Sequence, residues 1–337
     1  MNKVKKIFIT GGGGYIGGAL ISSLLKEGLE VVCYDLLLYG DESIKKFLEK
    51  KNFRFIQGDI RNVKKIEDSM DGSDAVIHLA AIVGDKPCEV LGNLSYDINF
   101  NGTKLLAEIA KKKKIKKFIF SSTCSNYGIS DPGIYINEEG KLNPVSLYAE
   151  AKVDCERHLM KMADDNFNPI CFRIATIYGV AERIRFDLTV NSFTYEACNE
   201  KKLSVFSSDT WRPYAHVKDI AKIIQISLTR EIPHKGVIYN AGYTKENYTK
   251  KNIVEKLQKL IPSLEVTYVN LHDDRRNYKV DFAKIEKELK IVNNYSVEDG
   301  MKEIIKLYEN KKINSALFKS NNLEGVINFY KKNIANL

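Results

Sequence analysis

The apolar residues of this chain follow two alternating rhythms through its first half. Short β-branched runs at Val4–Thr10, Glu30–Tyr34, Phe53–Gln57, Ala75–Leu79 and Phe118–Ser121 are separated by stretches with helical spacing, notably Tyr15–Glu27 and about 87–110. Strands whose polar positions are this few are buried on both faces, and their alternation with helices predicts a parallel α/β sheet wound on both sides. A further helix is predicted over Ser146–Ala163, a sixth strand over Pro169–Ile174 and a seventh over Gly236–Asn240. Beyond Ala175 the alternation loosens: Arg183–Glu200 reads as a loop feeding a helix, and Val217–Leu228 as a helix that returns to the first unit. Helices at Lys251–Ile261 and Val297–Glu309 and a short strand near Leu264–Tyr268 complete a smaller, interleaved C-terminal unit. The expected division is therefore residues 1–175 with returning segments near 215–242, and residues 176–337 mainly in the second unit.

Composition narrows this picture only modestly. A chain of 337 residues with 44% hydrophobic and 28% charged residues has ample material for a packed core. No apolar run reaches the roughly 18 residues of a membrane span, so no membrane partner and a cytoplasmic location are expected. The six cysteines, Cys33, Cys88, Cys124, Cys155, Cys171 and Cys198, show neither C-x-x-C nor metal-ligand spacing and read as reduced thiols, with no metal. The formal charge of +9 suits an anionic ligand or nucleic acid. Its densest cluster, Lys111–Lys114 with Lys116 and Lys117, sits where a helix ends, however, which is where cations are favourable. No nucleic-acid-binding signature accompanies it, so no nucleic-acid partner is expected.

The chemistry begins at Thr10-Gly-Gly-Gly-Gly-Tyr-Ile-Gly17, which follows a predicted strand and opens a helix. In that context Gly11 permits a tight turn, Gly14 lets backbone N–H groups approach a phosphate, and Gly17 allows close helix–strand packing. The helix N-terminus then favours an anionic pyrophosphate. Asp35 closes the second strand, where a carboxylate accepts both hydrogen bonds of an adenosine ribose diol and repels a 2′-phosphate. Leu36, Leu37 and Leu38 follow it rather than a basic residue, which favours NAD over NADP. Asp59 and Ile60 end the third strand, a position from which an aspartate reaches an adenine edge or merely closes a turn.

A second motif, Tyr148-Ala-Glu-Ala-Lys152, places a phenol and an ammonium on one helix face. A free phenol, with a pKa of about 10, is too weak a base at neutral pH; bringing it down by about 3 units takes roughly 4 kcal/mol, a magnitude that a neighbouring ammonium and an oxidised nicotinamide together can supply. Thr123 ends the fifth strand on the side where ligands bind in open α/β sheets, so its hydroxyl can hold the oxygen that Tyr148 deprotonates.

These residues, taken with others in order, make the chain resemble the extended short-chain dehydrogenase/reductases, specifically the NAD-dependent sugar-nucleotide epimerase/dehydratase family. Further matches are His78-Leu-Ala-Ala81, Asn99-Phe-Asn-Gly-Thr103, Ser121-Ser122 with Tyr127-Gly128, Pro144-Val-Ser-Leu-Tyr148, Arg173 with Tyr178-Gly179, and Arg212-Pro-Tyr-Ala-His-Val-Lys-Asp219. The resemblance implies a Rossmann core holding NAD and a C-terminal domain gripping a nucleoside-diphosphate sugar. It assigns Thr123, Tyr148 and Lys152 to catalysis. To the cofactor it assigns Gly11, Gly14, Tyr15, Ile16, Gly17, Asp35, Asp59, Ile60, Leu79, Ala80, Ala81, Asn99 and Ser121, beside Tyr148 and Lys152. To the substrate it assigns Thr123, Asn191 and Arg212; Thr176 stands where many relatives have a sugar-contacting asparagine, and one of Arg275 and Arg276, at an altered spacing before Asp281, is expected at the diphosphate. It also implies a homodimer built on helices near 87–110 and 146–163.

Dehydratases of this family carry an Asp-Glu pair after the catalytic threonine, whereas Thr123 is followed here by Cys124 and Ser125. Neither can do that acid–base work, so 4,6-dehydration is set aside. The leading expectation is a nucleotide-sugar 4-epimerase; the alternative is a C4 oxidase or ketoreductase using the same residues. The Arg183–Asn191 segment is similar to a branch that includes C4 oxidases of nucleotide-activated heptoses. A non-catalytic NAD-binding regulator is a third possibility, disfavoured because Tyr148 and Lys152 are both present.

Overall fold

The β-branched runs do line up side by side. In a computed structural model, which describes residues 4–131, 133–232, 234–269, 276–313 and 322–333, the first five strands are β1 (Lys6–Thr10), β2 (Glu30–Asp35), β3 (Phe53–Gln57), β4 (Ala75–His78) and β5 (Lys117–Thr123). After these come β6 (Tyr135–Ile136), β7 (Asn168–Ile174), β8 (Thr176–Tyr178), β9 (Lys202–Phe206), β10 (Trp211–His216), β11 (Val237–Ala241), β12 (Asn247–Thr249), β13 (Glu265–Val269) and β14 (Lys279–Val280). A seven-stranded sheet runs β11-β7-β5-β4-β1-β2-β3, and every pairing in it is parallel. Strand order reverses between β1 and β4, which opens a crevice beyond their carboxyl ends. The glycine turn after β1 and the hydroxyl-bearing end of β5 both open onto it.

Alternation along β1 shows why the sheet is covered twice. Ile7 and Ile9 pack with Leu20, Ile21 and Leu24 of the Tyr15–Lys26 helix and with Ile220 and Ile224 of the Val217–Thr229 helix. Phe8 points the other way, toward Leu106, Ala107, Cys155 and Leu159. The Val217–Thr229 helix thus packs beside the Tyr15–Lys26 helix, and Ser23 Oγ donates to Gln225 Oε1 at 2.8 Å across the contact. The long helix expected near 87–110 is instead broken. It runs as Asp85–Leu91, Asn93–Tyr96, a wide π turn at Asp97–Asn101 and Gly102–Lys112, and the first break falls at Gly92 with φ +50. A positive φ cannot continue a right-handed helix, and glycine adopts it at no steric cost.

Three small sheets serve the C-terminal part: β12-β10-β8, β13-β9 and β14-β6. The strand foreseen near 264–268 is β13; its partner β9, Lys-Leu-Ser-Val-Phe, went unanticipated although its exposed and buried residues alternate with period 2, whereas β6, β8, β12 and β14 are two or three residues long and too short to show a period. A helix at Asn322–Asn333, also unanticipated, returns to the first unit, where Val326 joins the cluster of Val32, Tyr34 and Ile60. All six cysteines are buried free thiols. The lysine cluster is a solvated helix end, with Lys111, Lys112 and Lys113 paired to Asp164, Glu67 and Asp71. Among the described residues no helix is long and apolar enough to cross a membrane.

Candidate active site

One deep cleft crosses the carboxyl edge of the sheet and brings both sequence motifs to the same space. Gly11, Gly14, Tyr15, Ile16, Gly17, Asp35, Asp59, Ile60, Leu79, Ala80, Ala81 and Ser121 line one arm; Thr123, Tyr148, Lys152, Thr176, Arg212 and Arg276 line the centre and the other arm. Arg275 lies outside the described residues.

The glycine turn is built for close approach. Gly11 has φ +75, and a Cβ there would lie 2.4 Å from the backbone nitrogen of Ala80. A Cβ on Gly17 would lie 2.4 Å from the Gly12 carbonyl oxygen. Gly14 behaves differently from expectation: its N–H is spent inside the turn on Gly11 O at 3.1 Å. The donors left for an anion are those of the first helical turn, Tyr15, Ile16 and Gly17, which have no preceding turn to bond. No side chain caps that end of the helix. Asp35 fastens the turn by accepting from Gly13 N at 2.8 Å and Leu37 N at 2.7 Å. Burial pushes its carboxyl up, and the two N–H groups and Arg183 pull the other way. Two N–H bonds leave further lone pairs on the carboxylate to accept from a ribose diol.

Asp59 is committed to Arg61, which grips it at 3.0 Å and 2.7 Å. Burial alone would raise the Asp59 carboxyl, but that guanidinium outweighs it and holds the pKa low. Asn99 does not line the cleft. Its amide is taken up by both backbone groups of Ile82, at 2.8 Å and 2.9 Å. It therefore holds the Ala80–Ile82 loop in place rather than meeting a ligand. Asn191 is likewise fully buried, accepting from Gly179 N and donating to Arg185 O, each at 2.9 Å, and to Tyr15 Oη at 3.1 Å. Both asparagines lie where the family pattern puts them in the chain, yet every amide group is used internally.

His78 staples this wall together. Thr103 donates to Asn99 O, so it accepts from His78 Nε2–H at 2.8 Å, and Nδ1 accepts from Thr10 at 2.6 Å. Burial, with Lys152 nearby, lowers the imidazole pKa to about 3, so the ring is neutral.

At the centre, the Leu147–Met162 helix starts with Ser146 as its N-cap, accepting from Ala149 N. Lys152 Nζ donates to Ser121 O at 2.8 Å and lies 4.5 Å from the Phe120 ring and 5.9 Å from that of Tyr148. Thr123 Oγ1 accepts from Ser125 N at 3.1 Å, which leaves its own proton to donate. Of the two cations expected to bring the phenol down, the protein supplies only Lys152, and its own groups leave the phenol raised. Burial pushes Tyr148 up first, Cys88 adds to it, and Arg185 opposes it only in part; burial also lowers the Lys152 pKa. Below Thr123, Glu156 and Arg173 form a buried ion pair at 2.8 Å. Ser122 and Asn126 both donate to Glu156, which fixes the strand end that presents the threonine.

In the other arm, Arg212 stacks 5.1 Å from the Tyr278 ring and Arg276 pairs with Asp85 at 3.2 Å. Arg183, Arg185 and Asp187 also line the cleft. Arg185 grips Asp187 at 3.1 Å and 2.6 Å, and Arg183 sits 4.0 Å over Tyr39. In the sequence this segment is a loop feeding a helix, and loop arginines have no period to reveal their direction. Tyr39, Asn322 and Tyr330, also in the lining, carried no signal at all.

Comparison with known proteins places this geometry. The model of the NAD dependent epimerase/dehydratase family matches residues 7–242. The chain belongs to that family. It is thus an enzyme of the extended short-chain dehydrogenase/reductase type with NAD as its cofactor, and the glycine turn, free helix N-terminus and Asp35 fit that group. UDP-glucuronate 4-epimerase of Thermodesulfobacterium geofontis (strain OPF15) is 31% identical, over 88% of this chain and 94% of its own. dTDP-glucose 4,6-dehydratase of Streptomyces niveus is 25% identical, over 91% and 94%. The crystal structure of dTDP-glucose 4,6-dehydratase from Bacillus anthracis str. Ames in complex with NAD superposes with a TM-score of 0.80 at 25% identity, covering 94% of this chain and 99% of that one. Family members of both reaction types are thus similar to it, and the site must separate them.

Proposed function

We propose that this enzyme is a nucleotide-sugar 4-epimerase, cytoplasmic and homodimeric, with Thr123, Tyr148 and Lys152 as its catalytic residues. The observation that carries the reading is the pair after Thr123. Cys124 is buried, donates its thiol to Arg173 O at 3.1 Å, and is pushed well above the ordinary thiol range by burial. Ser125 offers only a neutral hydroxyl, which is no general acid at neutral pH, and its N–H donates to Thr123 Oγ1 at 3.1 Å. No acid–base pair stands beside the threonine, so loss of a sugar hydroxyl has no group here to protonate it. The carboxylates that do line the substrate side, Asp85 and Asp187, are each held by a guanidinium.

In this reading Thr123 donates to the C4 oxygen and Tyr148 takes its proton, leaving a 4-keto sugar; the same phenol returns the proton when C4 is reduced. When bound, NAD supplies the acceptor and then the donor for the C4 hydride, together with a positive ring charge. That charge is what the site needs, because burial holds the Tyr148 phenol high and Lys152 alone does not offset it. Arg212 and Arg276 suit the diphosphate, since buried anionic oxygens call for charge-assisted donors. Thr176 is the sugar-side hydroxyl. The dimer reading uses the helices near 87–110 and 146–163, where Val90 and Leu147 are exposed.

A C4 oxidase or ketoreductase is the second reading, favoured by the arginines of the Arg183–Asn191 segment reaching the cleft. Incubation of purified protein with UDP-, GDP-, CDP- and dTDP-sugars separates them. Epimers formed with no net gain in reduced-cofactor absorbance are expected. Accumulating reduced cofactor or a free keto sugar would instead establish the second reading.

A further inference from the structure

The C-terminal helix, Asn322–Asn333, closes the outer side of the cleft where the dinucleotide arm ends. Asn322, Val326 and Tyr330 are spaced i, i+4, i+8, so they share one face. Asn322 ties that face down at both lips: its Oδ1 accepts from Arg183 Nη2 at 2.7 Å, and its Nδ2 donates to Val83 O at 3.2 Å. Gly325 sits directly against Tyr39, since a Cβ there would lie 2.5 Å from Tyr39 Cδ1. Val326 and Tyr330 are 0% and 3% exposed and pack with Tyr34, Ile60 and Ile82. Asn322, Tyr330 and Tyr39 all line the cleft beside Asp35, Asp59 and Ile60.

Two of these side chains are chemically unfinished. Among the described residues, the hydroxyls of Tyr39 and Tyr330 are buried with no hydrogen-bond partner. A buried polar group left unpaired costs about 1–3 kcal/mol, so two together on one wall of a ligand cleft call for an explanation. Burial, helped by the Asp59 carboxylate, raises the Tyr330 pKa to about 12, so the phenol keeps its proton and remains a donor. An adenine ring offers nitrogen acceptors at its edge and a flat face that tyrosines cover well.

We propose that the C-terminal helix forms the outer wall of the adenosine pocket, with Tyr330 and Tyr39 as cofactor-binding residues that hold the dinucleotide through turnover. This rests on the dinucleotide lying along the Gly11–Gly17 arm. An enzyme that must return its hydride to the same sugar gains from such a wall, because a cofactor that leaves between the two transfers strands a ketone.

Calorimetric titration of the full-length protein with NAD, AMP and nicotinamide mononucleotide tests it. Tyr330→Ala is expected to weaken NAD and AMP about tenfold, and Tyr330→Phe, which keeps the ring and loses the hydroxyl, about threefold, the range of a single hydrogen bond. Nicotinamide mononucleotide binding is expected to stay unchanged in both. NAD and AMP affinities in Tyr330→Ala within twofold of wild type would overturn the proposal, as would equal losses for AMP and nicotinamide mononucleotide. Wild-type protein that takes up no NAD would overturn the dinucleotide placement itself, and this wall with it.

Discussion

The two arms of the cleft are built from different materials. The cofactor arm is mostly backbone: a turn with no side chains at Gly11–Gly14, a helix N-terminus, and Asp35 accepting two N–H groups. Its geometry follows from a continuous stretch of chain and two parallel strands. The arm we propose for the substrate presents guanidinium groups, with Arg212 on Tyr278, Arg276 on Asp85 and Arg185 on Asp187. Its residues come from a strand, a helix start and loops far apart in the chain, and are aimed by other side chains. A site made of backbone is fixed by the sheet and turn themselves, whereas a site made of side chains can be rebuilt without disturbing the sheet.

Three substitutions probe that division. Where the arms meet, Tyr148→Phe removes the proton carrier and is expected to lower kcat about a thousandfold while leaving NAD bound; kcat within tenfold of wild type would place the base elsewhere. In the cofactor arm, Gly11→Ala forces a Cβ into the Ala80 backbone at a positive φ. NAD affinity should fall about a hundredfold or the protein should lose stability outright, since neither neighbour is a movable side-chain tip. An alanine variant that melts and binds NAD as wild type does would show the turn to be looser than described. In the substrate arm, Arg212→Ala should raise KM for the nucleotide sugar about tenfold, the value of a charge-assisted hydrogen bond, with NAD affinity unchanged. A loss of NAD binding in that variant would erase the distinction between the arms.

The residues that were legible in advance are those whose role is local. Gly11 and Gly17 are readable because strand, turn and helix are contiguous, and Tyr148 and Lys152 because i, i+4 spacing is a property of one helix. Asn99 and Asn191 were misjudged for the opposite reason. Each is a polar residue in a recognisable context, but whether its amide meets a ligand or the Ile82 and Gly179 backbones depends on loops folded from elsewhere. The Tyr148 phenol depends on the rest of the fold in the same way: the ammonium is on the expected helix face, but burial, with Cys88, raises the phenol in the protein alone, so the nicotinamide charge is the part of the expectation that must bring it down.

Periodicity along the chain was enough to decide the parallel sheet and its seven strands, because burial on two faces leaves a pattern in every strand. Tertiary folding alone decided which guanidiniums face the cleft, and that a helix at the far end of the chain would cover the lip beside Asp59. Packing partners separated by hundreds of residues leave no period to read; only the shape they complete together shows what each is for.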